Sequence, residues 1–204
     1  MIATDASPAA DRASAGSLRG LGRPAWIGLA LALVVGARWA ATVADVSPYL
    51  VGTLFGTAFL VLARAGGMRV SVPTPSAWLI GIGGSVVLVA LAIGASSLAG
   101  QPLRAVPKTD FALWAPITVV VASAEELVLR GALFKVLRDA TGLLSAVVVT
   151  SAAFALMHVP LYGWHVVPLD LGVGVFLAGL RLASGSVAAP AVAHVAADLA
   201  TWWL

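Results

Sequence analysis

Three groups of ionisable residues lie inside long apolar stretches of the chain: Glu125-Glu126-x-x-x-Arg130, Phe154-x-x-x-His158 and His194-x-x-x-Asp198. In hydrocarbon such a side chain costs at least ~2.5–3.5 kcal/mol on insertion scales, so it turns toward a bundle interior or a water cavity and marks function by default. Helical geometry organises each group. Glu126 and Arg130 are four apart and pair on one face, whereas Glu125 is rotated by about 100° and points elsewhere. His194 and Asp198 share a face, so the carboxylate either orients the imidazole or meets one metal with it. Phe154, one turn before His158, can wall off its ring. Each group also has a plain structural reading. Glu126 with Arg130 makes an ion pair, His158 beside Pro160 an interfacial histidine, and His194 with Asp198 a buried pair holding two helices. Three acids, two imidazoles and one fixed cation in one chain favour a single site over three separate accidents. His165, next to Trp164, reads as surface, and Asp110 and Asp170 read as helix N-terminal residues stabilised by the dipole.

The elements that must position these groups are set by composition. Of 204 residues, 60% are apolar and 10% charged, against roughly 25% charged in a soluble domain. Too few charges are available to cover a water-facing surface. Five of the 21 charged residues fall in residues 1–24, a Gly-, Ala-, Ser- and Arg-containing stretch expected to be a disordered tail. The remainder, residues 25–204, reads as one all-α polytopic transmembrane bundle of about seven spans: about 25–45, 48–64, 77–99, 110–137, 143–163, 167–183 and 186–204. The fourth exceeds one membrane thickness and must tilt or project. Pro160 is expected to kink or stop the fifth. Gly52-x-x-x-Gly56 and the Gly81, Gly83, Gly84 cluster permit close helix contact. With the N-terminus inside, nine Lys and Arg fall on inner segments and two, Arg104 and Lys108, on outer connections. Arg38 lies within the first span and either snorkels or pairs inside the bundle. The expected location is therefore the plasma (inner) membrane, multi-pass, N-terminus inside. The basic residues are dispersed rather than clustered, so nucleic acid is not expected as a partner. Without Cys there is no disulfide, thiolate zinc site or cysteine nucleophile.

Taken in order, the three groups resemble the motifs of the CPBP family. These are the type II CAAX prenyl proteases and the bacteriocin-processing or immunity proteases, also called the abortive-infection family. Leu127, Arg130-Gly131 and Phe134 are similar to its first motif as well, and the resemblance covers about residues 110–204. It implies a helical intramembrane endopeptidase, a hydrolase cutting a peptide or membrane-protein substrate at or near the membrane face. By that resemblance Glu125 is the general base that activates water, His158 shares the task, and Glu126, Arg130 and Phe154 support it. His194 and Asp198 stabilise the oxyanion or bind metal.

Amide hydrolysis needs an activated water and a stabilised oxyanion, which the residues supply in part. One departure is chemical. Many family members carry Asn where this chain has Asp198. An Asn can donate to an oxyanion, while an ionised Asp only accepts. Asp198 is then protonated, an orienter of His194, or a metal ligand. Glu125, His158, His194 and Asp198 together form an N/O set acceptable to a divalent metal such as zinc, so glutamate-type and metalloprotease mechanisms both stay open. The helical arithmetic leaves one difficulty: at ~1.5 Å per residue, His158 falls several ångströms nearer the outer face than Glu125. The rival readings are a proton-coupled transporter, which calls for inverted repeats and broken helices, and a non-catalytic scaffold. Ser85 and Ser123 lie in no Gly-x-Ser-x-Gly setting, which weakens a serine peptidase. Nothing in these residues marks a prenyl-binding groove.

Overall fold

The computed structural model describes residues 8–69, 71–99 and 110–204, and among these every element is helical. In chain order they are α1 (Pro8–Val43), α2 (Pro48–Ala65), α3 (Pro75–Ala99) and α4 (Phe111–Glu126). A π-helical segment (Leu127–Leu133) comes next, then α5 (Phe134–Thr141), α6 (Leu143–Tyr162), α7 (Val167–Ser184) and α8 (Ala188–Ala200). Boundaries fall where backbone chemistry puts them. Pro48, Pro75 and Pro168 sit in first turns, where the missing N–H costs nothing. The Asp110 carboxylate accepts from the Ala112 and Leu113 amides at 2.9 and 3.4 Å, capping α4. Gly142 and Gly163, at φ of 94° and 89°, bracket α6; that left-handed region is open to glycine and strained for other residues.

Six segments are long and apolar enough to cross a membrane: Pro24–Val43, Pro48–Ala65, Pro75–Ala95, Phe111–Thr141, Leu143–Tyr162 and Trp164–Ser184. The seventh apolar helix, α8, has 13 residues and therefore spans only about 20 Å. It is an inner helix, packed against α3, α4 and α7. The first span starts where expected, but its helix begins at Pro8, so residues 8–24, expected as a tail, continue it. Residues 1–7 and the two expected outer cations, Arg104 and Lys108, lie outside the described residues.

Polarity is inverted relative to a water-soluble protein. Leu29, Leu33, Leu54, Val61, Leu79, Val86 and Leu144 are more than half exposed, while Glu125, Glu126, Arg130, Thr150, Ser151 and His194 are buried. Apolar surface on that scale is a lipid-facing surface. Helix association in lipid relies on close packing rather than apolar burial, and the glycines supply it. A Cβ at Gly52 would lie 3.0 Å from Ile117 Cγ2, and one at Gly56 would lie 3.3 Å from Val120 and Val121, which seats α2 on α4. At Gly81 and Gly84 a Cβ would meet Ala189 O at 3.0 Å and Leu180 Cδ1 at 2.5 Å, while Gly83 faces open space. The expected packing role thus holds for four of these five glycines. Gly174 has the closest bearing on the buried polar groups: a Cβ there would lie 2.8 Å from Ser151 Cα, so α7 and α6 touch at backbone distance.

Pro160 does not stop α6, which runs two residues further to Tyr162. Directly after Glu126, the chain widens into the π-helical segment, a local form often found at functional sites. It carries Arg130 inward among buried Val128, Leu129 and Leu133.

Candidate active site

The site is built from two layers, one structural and one facing a cavity. In the structural layer Glu126 Oε1 accepts from Arg130 Nη1 at 2.8 Å, both side chains fully buried. The same oxygen lies 3.0 Å from His194 Nδ1. Arg130 also donates from Nη2 to Gly174 O at 3.0 Å, and its guanidinium lies 4.8 Å above the Phe154 ring. This one cation therefore ties the π-helical segment to α7 and α6, and through Glu126 to α8. The i,i+4 pair read from the sequence is present, and it reaches further than a pair.

The cavity-facing layer is made of Glu125, His158 and His194, whose donor atoms lie within 4.8 Å of one another. They come from α4, α6 and α8. Glu125, one residue from Glu126, points the other way, as the 100° rotation requires. Its Oε2 lies 3.8 Å from His194 Nε2, and its Oε1 accepts from Arg38 Nη1 at 3.3 Å. His158 Nδ1 lies 2.8 Å from Phe154 O. A carbonyl can only accept, so Nδ1 carries the proton and Nε2 is the lone-pair nitrogen of the neutral ring. His194 differs: its Nδ1 is held by the Glu126 carboxylate, and its Nε2 faces two further carboxylates, Glu125 Oε2 at 3.8 Å and Asp198 Oδ2 at 3.5 Å. Phe154 packs against both imidazoles, with ring centroids 4.5 Å from His158 and 5.2 Å from His194. The expected wall for one ring serves two.

The depth difficulty does not survive in the folded chain. Glu125 and His158 line one cavity of about 590 Å³, together with Arg38, Thr42, Tyr49, Thr118, Tyr162 and Asp198. The α4–π–α5 unit is 31 residues long, about 46 Å at 1.5 Å per residue, so it exceeds one ~30 Å hydrocarbon core. Its extra length allows Glu125 to sit level with a histidine close to the end of α6. A second, smaller cavity of about 140 Å³ lies on the other side of His158, His194 and Asp198, walled by Leu88, Leu91 and Val173.

Two residues in this region carry no motif. Arg38 enters from α1, and it is the paired alternative of its sequence reading that the structure bears out. Its side chain is 9% exposed, its guanidinium lies 4.2 Å above the Phe55 ring, and its Nε is buried without a partner. Asp170 stands in the first turn of α7, as expected of a dipole-stabilised acid. It also brings Oδ2 to 3.8 Å from His158 Nδ1 and lines the smaller cavity. The signal for Arg38 was present, because a charge within an apolar span is a functional hypothesis by default; nothing in the sequence named its partner. His165 is exposed on the turn Trp164–Val166, apart from the site.

Comparison with known proteins covers the stretch of chain that carries most of these residues. Residues 107–200 match the family model described as type II CAAX prenyl endopeptidase, Rce1-like. This is the family that the three motifs resemble, and the match takes in Glu125, Glu126, Arg130, Phe154, His158, His194 and Asp198 while leaving Arg38 outside. No curated protein and no solved structure matches the chain.

Proposed function

We propose that the protein is an intramembrane endopeptidase in which a water activated by Glu125 and His158 attacks a peptide carbonyl. The observation that carries this reading is the convergence of Glu125, His158 and His194 from three helices, within 4.8 Å, beside a 590 Å³ cavity in an otherwise apolar bundle. General bases must stand within hydrogen-bond reach of the proton they abstract. Glu125 and the lone-pair Nε2 of His158 supply two acceptors for one water. Glu126 and Arg130 hold His194 by its Nδ1, so that its Nε2 meets the reacting atoms. Asp198 stands one helical turn along α8, 3.5 Å from that same Nε2, at the edge of the reacting centre. The CAAX-type substrate is carried by the family's description alone.

The same donor set fits a divalent metal. Two histidines and a glutamate are a recognised catalytic zinc set, and each imidazole has its second nitrogen already engaged, as outer-shell partners of zinc ligands do. His158, His194 and Glu125 would hold the ion, which would polarise a carbonyl and acidify a bound water. Metal analysis of the purified protein decides the point. About one equivalent of zinc, lost with activity on chelation and restored with it, assigns the ion; an active metal-free preparation excludes it.

We also propose the N-inside orientation, on the asymmetry of Lys and Arg. The cavity is lined by Asp45, Val46 and Pro48 of the α1–α2 connection, so it then opens on the outer face. Because the chain lacks cysteine, the test is clean: Ser47→Cys is expected to react with an impermeant maleimide in intact cells, and Ala140→Cys only after lysis. The reverse pattern contradicts the orientation. The activity itself is tested by comparing membrane peptides from cells carrying wild type and Glu125→Ala. Fragments present only with wild type support peptidase action and name the substrate. Identical peptide sets, with function retained in Glu125→Ala cells, favour a scaffold instead.

A further inference from the structure

We infer that Arg38 is a catalytic residue that stabilises the oxyanion, an assignment that rests on the peptidase reading above. The need for such a donor comes from Asp198. Asp198 lines the large cavity and brings Oδ2 to 3.5 Å from His194 Nε2, and a carboxylate in its ionised form offers only acceptors and repels negative charge. The remaining cations near the reacting centre are few. Arg130 is turned away, committed to Glu126, Gly174 and the Phe154 ring. Arg38 is not committed in that way. It lines the large cavity, touches Glu125 at 3.3 Å through Nη1, and keeps a buried Nε–H without a partner. Its guanidinium is held over Phe55 at 4.2 Å, a contact that fixes its position without using a hydrogen-bond donor.

The contact with Glu125 couples the donor to the chemistry. In the resting state the guanidinium faces the carboxylate of the base. As water attacks, its oxygen forms a bond to the carbonyl carbon, the C=O π pair moves onto the carbonyl oxygen, and a proton passes from water to Glu125. Negative charge thereby leaves Glu125 and appears on the substrate oxygen a few ångströms away, while Arg38 stays in place. Its attraction to the base is released as its attraction to the oxyanion is gained, so stabilisation grows toward the transition state. Glu125 then gives the proton to the peptide nitrogen and the C–N bond breaks. The new acid's proton passes to the released amine.

Membranes from cells carrying Glu125→Gln hold uncleaved substrate and serve as the probe, with purified wild type, Arg38→Ala and Arg38→Lys added separately. For Arg38→Ala the maximal rate of fragment release is expected to fall about 10²–10³-fold, with the half-saturating membrane concentration unchanged within about threefold. Arg38→Lys is expected to lie between, and added ethylguanidinium is expected to restore Arg38→Ala by at least about tenfold. Rescue by a small cation is not available to a residue that only holds helices together. Three outcomes overturn the assignment while leaving the peptidase standing: an unchanged maximal rate in Arg38→Ala, a lost rate that ethylguanidinium does not restore, or a raised half-saturating concentration alone, which would make Arg38 a substrate-carboxylate contact. Wild type that releases no fragment overturns the peptidase reading and this one together.

Discussion

Glu125→Gln is expected to lower the cleavage rate by about 10²–10⁴-fold, the range for removal of a general base, while Glu126→Gln loses only about 10–100-fold. The two residues are neighbours of identical chemistry, so the difference tests geometry alone. Glu125 faces Arg38, His194 Nε2 and the large cavity, where a water and a carbonyl have room. A Gln there keeps the volume and loses the proton acceptor. Glu126 is sealed, with no exposed surface, and accepts from Arg130 and His194 through one oxygen. A Gln can still accept from both through its carbonyl oxygen, so His194 keeps most of its orientation. Single-turnover rates of the two purified variants on the same membranes provide the comparison. Equal residual rates would remove the division of labour.

The largest effect on stability is expected at Arg130. Arg130→Met removes the cation from a fully buried pair and leaves the Glu126 carboxylate with only His194 Nδ1 as a partner, which costs about 3–5 kcal/mol. The Gly174 carbonyl loses its donor at the same time. At Gly174 α7 meets Ser151 of α6 at backbone distance, so loosening there reaches the wall that carries His158. The double variant Glu126→Gln/Arg130→Met is expected to recover a substantial part, because neither member of this pair is left as an unmatched buried charge. Denaturant unfolding in detergent micelles measures both, and the double-mutant cycle isolates the coupling. A double variant no more stable than Arg130→Met would show that the charge is not what makes the single substitution costly.

The legibility of this site in the sequence ends where helical periodicity ends. The pairs Glu126–Arg130, Phe154–His158 and His194–Asp198 are all i,i+4, and all three are in contact in the structure. Opposed directions for Glu125 and Glu126 were equally legible, since one residue of rotation fixes them. Contacts between helices were not. The bond from His194 to Glu126 crosses 68 residues and the one from Arg38 to Glu125 crosses 87; no local pattern encodes either. Asp170 shows the same limit from the other side. Its place at a helix start was readable and its approach to His158 was not, because that depends on how α7 lies on α6. The π-helical segment had no sequence signature, and neither did a start of α1 at Pro8, within a stretch whose composition reads as a disordered tail. The seven apolar segments, by contrast, come directly from the scarcity of charge.

Hydrolysis itself is the claim on which everything else depends, and isotopic water tests it most directly. Purified wild type is incubated in H₂¹⁸O with membranes from Glu125→Gln cells, and the released fragments are examined by mass spectrometry. New C-termini carrying one ¹⁸O, absent when Glu125→Gln is the added enzyme, are the expected result. Intact membrane proteins after prolonged incubation with the folded wild type, with no labelled terminus, would contradict it.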